Sequence, residues 1–290
     1  MNQPADLRTK AEALAQPLPP LLAAAEHLAS SVLLGEHGRR RAGLGDEFWQ
    51  YRPIHAGDEA RSIDWRRSGR SDAHYVREKE WQAAQSVLVW VDGGRSMDFS
   101  SAPKLPTKAD RARTLAMAAA VLLIRGGERV GLTSLETPPR SGQLQLLRLA
   151  TALSADAADD YAVPDVRGIL HHSRAVFVSD FLGDLTGIER AMTEAADRDV
   201  KGVVIQVLDP EEEAFPFDGR TIFESIGGTL SHETLKAGDL RSRYLDRLAA
   251  RKAALTDLAR ATGWQYTCHH TDGSATAALL WLYAALERVH

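Results

Sequence analysis

Three apolar runs in this chain end on an aspartate: VLVWVD at 87–92, RAVFVSD at 174–180 and VVIQVLD at 203–209. The first continues as GGRSM, so Asp92 is followed by two glycines, Arg95 and Ser96. A carboxylate and a hydroxyl on one short loop offer hard oxygens to a magnesium-sized ion, which needs only two or three protein ligands beside its waters. Asp180, on a second loop, reaches the same point if its strand neighbours the first. The competing role is local, because aspartate caps the helix or turn that follows it. For Asp209, followed by proline and three glutamates, capping is the expected role. For Asp92 with Ser96 both roles stay open.

Positioning these residues takes a sheet. From residue 85 onward, apolar strands alternate with helical stretches: strand 87–92, helix 107–126, strand 128–136, helix 142–153, strand 174–182, helix 185–199, strand 201–210, helix 239–263, strand 264–270 and helix 274–287. A hairpin-like stretch, GRTIFESIGG, precedes the 239–263 helix. Continuous apolar strands between helices predict a mainly parallel sheet covered on both faces. In such sheets ligands sit outside the carboxyl ends of the strands, near the switch in strand order, where Asp92, Asp180 and Asp209 are expected. Three divisions follow: N-terminal helices at 1–34, broken by QPLPP; a β-rich collar at 35–84; and the α/β domain at 85–290.

The bulk numbers exclude several classes. A chain of 290 residues with 44% hydrophobic and 26% charged residues is an ordinary globular composition. A net charge of -4 argues against a general nucleic-acid binder. Cys268 is the single cysteine, so no intrachain disulfide and no thiolate cluster can form, and a cytoplasmic address is expected. The longest apolar stretch, LAMAAAVLLI, is about half of the roughly 20 residues a membrane span needs, and the N-terminus does not read as a secretory signal.

No catalytic constellation emerges. There is no phosphate-binding glycine loop, and GGRSM is not a nucleophile elbow. The adjacent pairs His171–His172 and His269–His270 read as surface or capping histidines, because neighbours on a strand face opposite sides. Cys268 reads as a small buried hydrophobe. In the collar, Arg39, Arg40, Arg41, Arg61, Arg66, Arg67 and Arg70 are interleaved with acidic residues, which favours a salt-bridge lattice over an anion-binding patch.

The stretch from Gly38 to Phe99 closely resembles the bacterial domain-of-unknown-function family 58, above all in GDEARSIDW at 57–65, VRE at 76–78 and VLVWVDGGRSM. The likeness continues more loosely through ERVGLTSL, PPRSG at 138–142 and VSDF at 178–181. It implies a von Willebrand factor A-like, Rossmann-like α/β fold. It also implies a degenerate metal-ion-dependent adhesion site for Mg or Mn. Asp92, Ser96 and Asp180 would hold the ion, with Ser141 the nearest match to a second-loop ligand. The serine expected in mid-motif is Gly94, which has no side-chain oxygen. Arg95 offers an alternative occupant, its guanidinium satisfying Asp92 or Asp180 without an ion.

Within the signature, Gly57 permits a turn and Asp58 bonds the backbone after it. Arg61 and Asp64 lie within reach of each other, and Ile63 and Trp65 are expected as apolar anchors. The resemblance further implies a protein-binding module without enzymatic activity, working with a AAA+ ATPase of the MoxR type on a protein target. Gly94, Arg95 and Asp98 would belong to its contact face. The alternative is a metal-dependent hydrolase on the Asp92/Asp180 edge, with Asp98 and Asp184 as candidate auxiliary carboxylates.

Overall fold

The structure, a computed structural model, describes residues 20–31, 42–55, 63–69, 74–80, 84–154, 160–224 and 231–288. These fall into two compact units, one within Leu34–Gln85 and the other drawn from Met1–Leu33 and Ser86–His290.

Helix α1 (Pro20–Ser30) opens the larger unit. The smaller unit is an antiparallel ribbon of β1 (Ala42–Pro53) and β2 (Tyr75–Glu80), with register shifts on either side of Phe48. One helical turn, Trp65–Ser68, follows Asp64. Asp64 caps that turn by accepting from the Arg67 amide at 3.0 Å, and it also accepts the Tyr51 hydroxyl at 3.0 Å. Trp65, expected as an anchor, is 61% exposed and meets the His74 ring edge-on at 5.7 Å, while Ile63 bridges to Val76. Capping turns the start of this turn toward Asp64 and leaves the indole on the outside. Gly57, Asp58, Arg61 and the arginines Arg39, Arg40, Arg41 and Arg70 lie outside the described residues.

The larger unit is built on five parallel strands. In chain order these are β3 (Ser86–Val91), β4 (Arg129–Leu132), β5 (Arg174–Ser179) and β6 (Lys201–Leu208), then, after a small hairpin of β7 (Thr221–Glu224) and β8 (Ser231–Thr234), β9 (Gln265–His270). Their spatial order is β4-β3-β5-β6-β9, all parallel. The helices between them are α2 (Lys108–Arg125), α3 (Gln143–Leu153), α4 (Thr186–Ala196), α5 (Arg241–Thr262) and α6 (Ala275–Arg288). The expected α/β class, a parallel sheet flanked by helices, is therefore what the chain adopts.

Alternation along each strand divides the core. Val87 and Val89 with Val176, Val178, Val203 and Ile205 face a layer of α1, α2, α3 and α6. Leu88 and Trp90 with Ala175, Phe177 and Val204 face α4 and α5. Helix α2 is buried nearly all round, from Ala112 through Leu123, because α1 and α6 pack on the side it does not turn to the sheet. After β3 the chain crosses to β4 on one side, and after β4 it crosses back to β5 on the other. The switch in strand order thus falls between the carboxyl ends of β3 and β5.

Candidate functional site at the switch point

Asp92 and Asp180 both lie at that switch, one residue beyond β3 and β5 respectively. The two strands are paired through Val91–Val178, and the Asp92 amide donates to the Val178 carbonyl at 2.8 Å. Both carboxylates are buried.

Asp92 is held by its own chain. Oδ1 accepts from the amides of Gly94 at 2.7 Å and Ala162 at 3.2 Å, and Oδ2 accepts the Ser179 hydroxyl at 2.7 Å. Burial, with the nearby charge of Asp180 adding to it, outweighs these hydrogen bonds and raises the Asp92 pKa above the ordinary carboxylate value.

Asp180 has a different partner. Lys108, in the first turn of α2 and 1% exposed, donates to Asp180 Oδ2 at 2.8 Å and to Glu212 Oε1 at 2.6 Å. The second oxygen of Asp180 accepts the Leu182 amide at 3.0 Å, and its backbone carbonyl accepts from Gln206 at 2.8 Å. A lysine here is opposed twice, by burial and by the positive end of the helix dipole. Burial alone would lower the Lys108 pKa, but the two carboxylates outweigh it and hold it raised. Glu212 is raised in turn, by burial first.

Asp209 joins the cluster through Glu212. The two form a capping box on the short helix Pro210–Ala214, with the Asp209 amide donating to Glu212 Oε2 at 2.9 Å. The capping role expected of Asp209 is the one it has.

The fit to a divalent ion fails on this geometry. Every carboxylate oxygen of Asp92 and Asp180 has a donor from the chain, and an ammonium sits where the third-loop aspartate would meet an ion. Ser96 Oγ is buried without a hydrogen-bond partner among the described residues, but one hydroxyl falls short of the two or three protein oxygens such an ion takes beside its waters. Gly94 leaves no room for the missing serine, since a Cβ there would lie 2.5 Å from the Asp160 carbonyl oxygen. Among the described residues, no three His, Cys, Asp or Glu side chains gather around Asp92.

Ser141 lies at the wrong end of the sheet. Arg140 bridges Val130 in antiparallel fashion, and Val130 is level with Val87, so Ser141 sits at least five strand residues below Asp92, roughly 16 Å. The hydroxyls at the carboxyl end of β4 are instead Thr133 and Ser134. Arg95 does not fill the role considered for it either. Its side chain is exposed, and Lys108 is the cation on Asp180. Asp98 and Asp184 are exposed, the latter accepting from Thr186.

Sequence reasoning missed Lys108. The available signal was slight, a lysine directly after the capping Thr107, at the end of a helix that favours acidic residues.

The segment Asp160–Val163 straps this cluster. Asp160 accepts the Ser96 amide at 3.0 Å, Ala162 donates to Asp92, and Tyr161 and Val163 pack so closely on Gly183 and Gly187 that a Cβ at either glycine would meet them at 2.7 Å. Phe181, directly after Asp180, is buried at φ 51°, a conformation rare for an aromatic residue, and packs on Trp90. The outward faces of the strap stay open, with Tyr161 48% and Val163 51% exposed. Beside it lies a cavity of about 330 Å³ lined by Asp92, Arg113, Thr133, Ser134, Ala162 and Val163, among others.

Against known proteins, the family described as protein of unknown function DUF58 matches residues 50–254. The chain belongs to the DUF58 family. It is similar to the uncharacterized proteins Rv1480 of Mycobacterium tuberculosis and Mb1516 of Mycobacterium bovis. Each is 28% identical over 276 residues, covering 89% of this chain and 84% of the relative. Among solved structures, an aerotolerance-related membrane protein from Bacteroides fragilis aligns at TM-score 0.40 and 12% identity, over 70% of this chain and 98% of that one. BatB from Bacteroides thetaiotaomicron aligns at TM-score 0.39 and 15% identity, over 69% and 98%. In this DUF58 chain no helix among the described residues is long and apolar enough to cross a membrane.

Proposed function

We propose that this chain is a non-enzymatic protein-binding module whose docking face is the rim above the switch point. The partner that its family resemblance implies is a AAA+ ATPase of the MoxR type, acting with it on a third protein. The observation that supports this reading is the internal pairing of Asp92, Asp180 and Glu212, which engages those three carboxylates with donors from the chain itself. What faces outward is contact chemistry: the Tyr161 ring, the Arg95 side chain, and Val163, which lines a cavity large enough for a partner's side chain.

Affinity capture with the tagged full chain under ATP-trapping conditions tests this. A AAA+ ATPase should be retained by the wild type and lost from Tyr161→Ala combined with Val163→Asp, with circular dichroism showing the variant to be folded. Capture unaffected by that double variant, or no ATPase in repeated trials, counts against the proposal.

A further inference from the structure

A second cluster, away from the switch point, has the chemistry of a transition-metal site. Cys268 and His270 are two residues apart on edge strand β9 and so share a face. Glu213, at the end of the short helix Pro210–Ala214, reaches over to them. One ligand atom from each of these three side chains lies within 4.8 Å of the other two. Zinc bonds of about 2.0–2.3 Å in tetrahedral geometry place ligand atoms roughly 3.3–3.8 Å apart, so side-chain rotation alone closes the set.

We propose that Cys268, His270 and Glu213 bind a Zn²⁺-type ion, with the fourth position open to water or a partner's side chain. A thiolate with an imidazole selects zinc-like ions over magnesium. The side chains are half-buried, so an ion can enter from solvent. Glu213 is already oriented for the task. Lys252 on α5 donates to its Oε1 at 2.5 Å, and Oε2 is hydrogen-bonded to His270 Nε2. On binding, Oε2 and Nε2 turn to the ion while Lys252 keeps Oε1, the outer partner that fixes a ligating carboxylate. Cys268 enters as thiolate and its proton goes to solvent.

The test is Co²⁺ absorption and chelator-competed Zn²⁺ binding on the full chain. The wild type should bind one ion, show a thiolate-to-cobalt charge-transfer band, and lose about tenfold in affinity per pH unit of acidification. Cys268→Ser should abolish the band, and His270→Gln should weaken Zn²⁺ by at least about 100-fold. His172→Gln, at a separate exposed histidine paired with Asp199, should change neither. Circular dichroism verifies that each variant is folded; if one is not, Glu213→Gln replaces it, with Zn²⁺ binding weakened by at least about 100-fold and the thiolate band kept. No binding at micromolar Zn²⁺ by the wild type, or equal binding by the folded ligand variants, overturns the proposal.

Discussion

Lys108 and Lys252 each present an ammonium to a glutamate on the same short helix, yet the two regions do opposite things with it. At the switch point Lys108 is sealed between Asp180 and Glu212, with essentially no solvent contact. At the edge of the sheet Lys252 meets Glu213 with both side chains partly exposed, beside a thiol and an imidazole. Burial separates the two roles. In the interior an ammonium and its carboxylates are locked together, because neither can be left alone in a low dielectric. At the edge the pair is cheap to rearrange, and so is available to a ligand.

The sharpest way to break this contrast is to remove each ammonium. Lys108→Met strands the buried Asp180 and the partly buried Glu212 and should cost about 3–5 kcal/mol, read by denaturant unfolding. Its pH dependence has a definite sign. The folded pKa of Lys108 is raised, so its contribution is complete below 10.5 and lost only as the pH climbs above that through the folded value. Lys108→Met should lack that alkaline loss.

A smaller effect, of opposite sign, is expected at Asp92. Its raised pKa means the charged form is disfavoured by folding, so its contribution declines as pH rises from 3.8 through the folded value. Asp92→Asn should remove that decline and leave stability at neutral pH equal or slightly higher. A large loss on this substitution would show the charge to be required. The smallest effect belongs to Lys252→Met, about 0–1 kcal/mol as for exposed pairs. A cost there comparable to that of Lys108→Met would erase the distinction.

Much of the frame was legible. The apolar runs placed every strand of the main sheet, and Asp92 and Asp180 do meet, because their strands are neighbours across the switch. Asp209 followed by proline and glutamates spelled a capping box. The polar detail was less legible, because it depends on which loop returns to which end of the sheet. Ser141 looked close to the site along the chain. Strand β4 stops at Leu132, and the chain then doubles back through PPR, which carries the serine to the opposite end. Lys108 arrives from a helix start, where its place directly after the capping Thr107 was the one slight sign that it does not point to solvent. The Cys268–His270–Glu213 grouping needed the short helix after β6 to fold over β9, a contact between residues 57 apart in the chain for the Glu213–His270 pair.

The central claim is that the acidic switch point is filled from within by Lys108, and its most direct test is calorimetric titration of the full chain with Mg²⁺. No saturable heat should appear at millimolar ion, in the wild type or in Asp180→Asn. One-to-one binding by the wild type that disappears in Asp180→Asn would contradict the account.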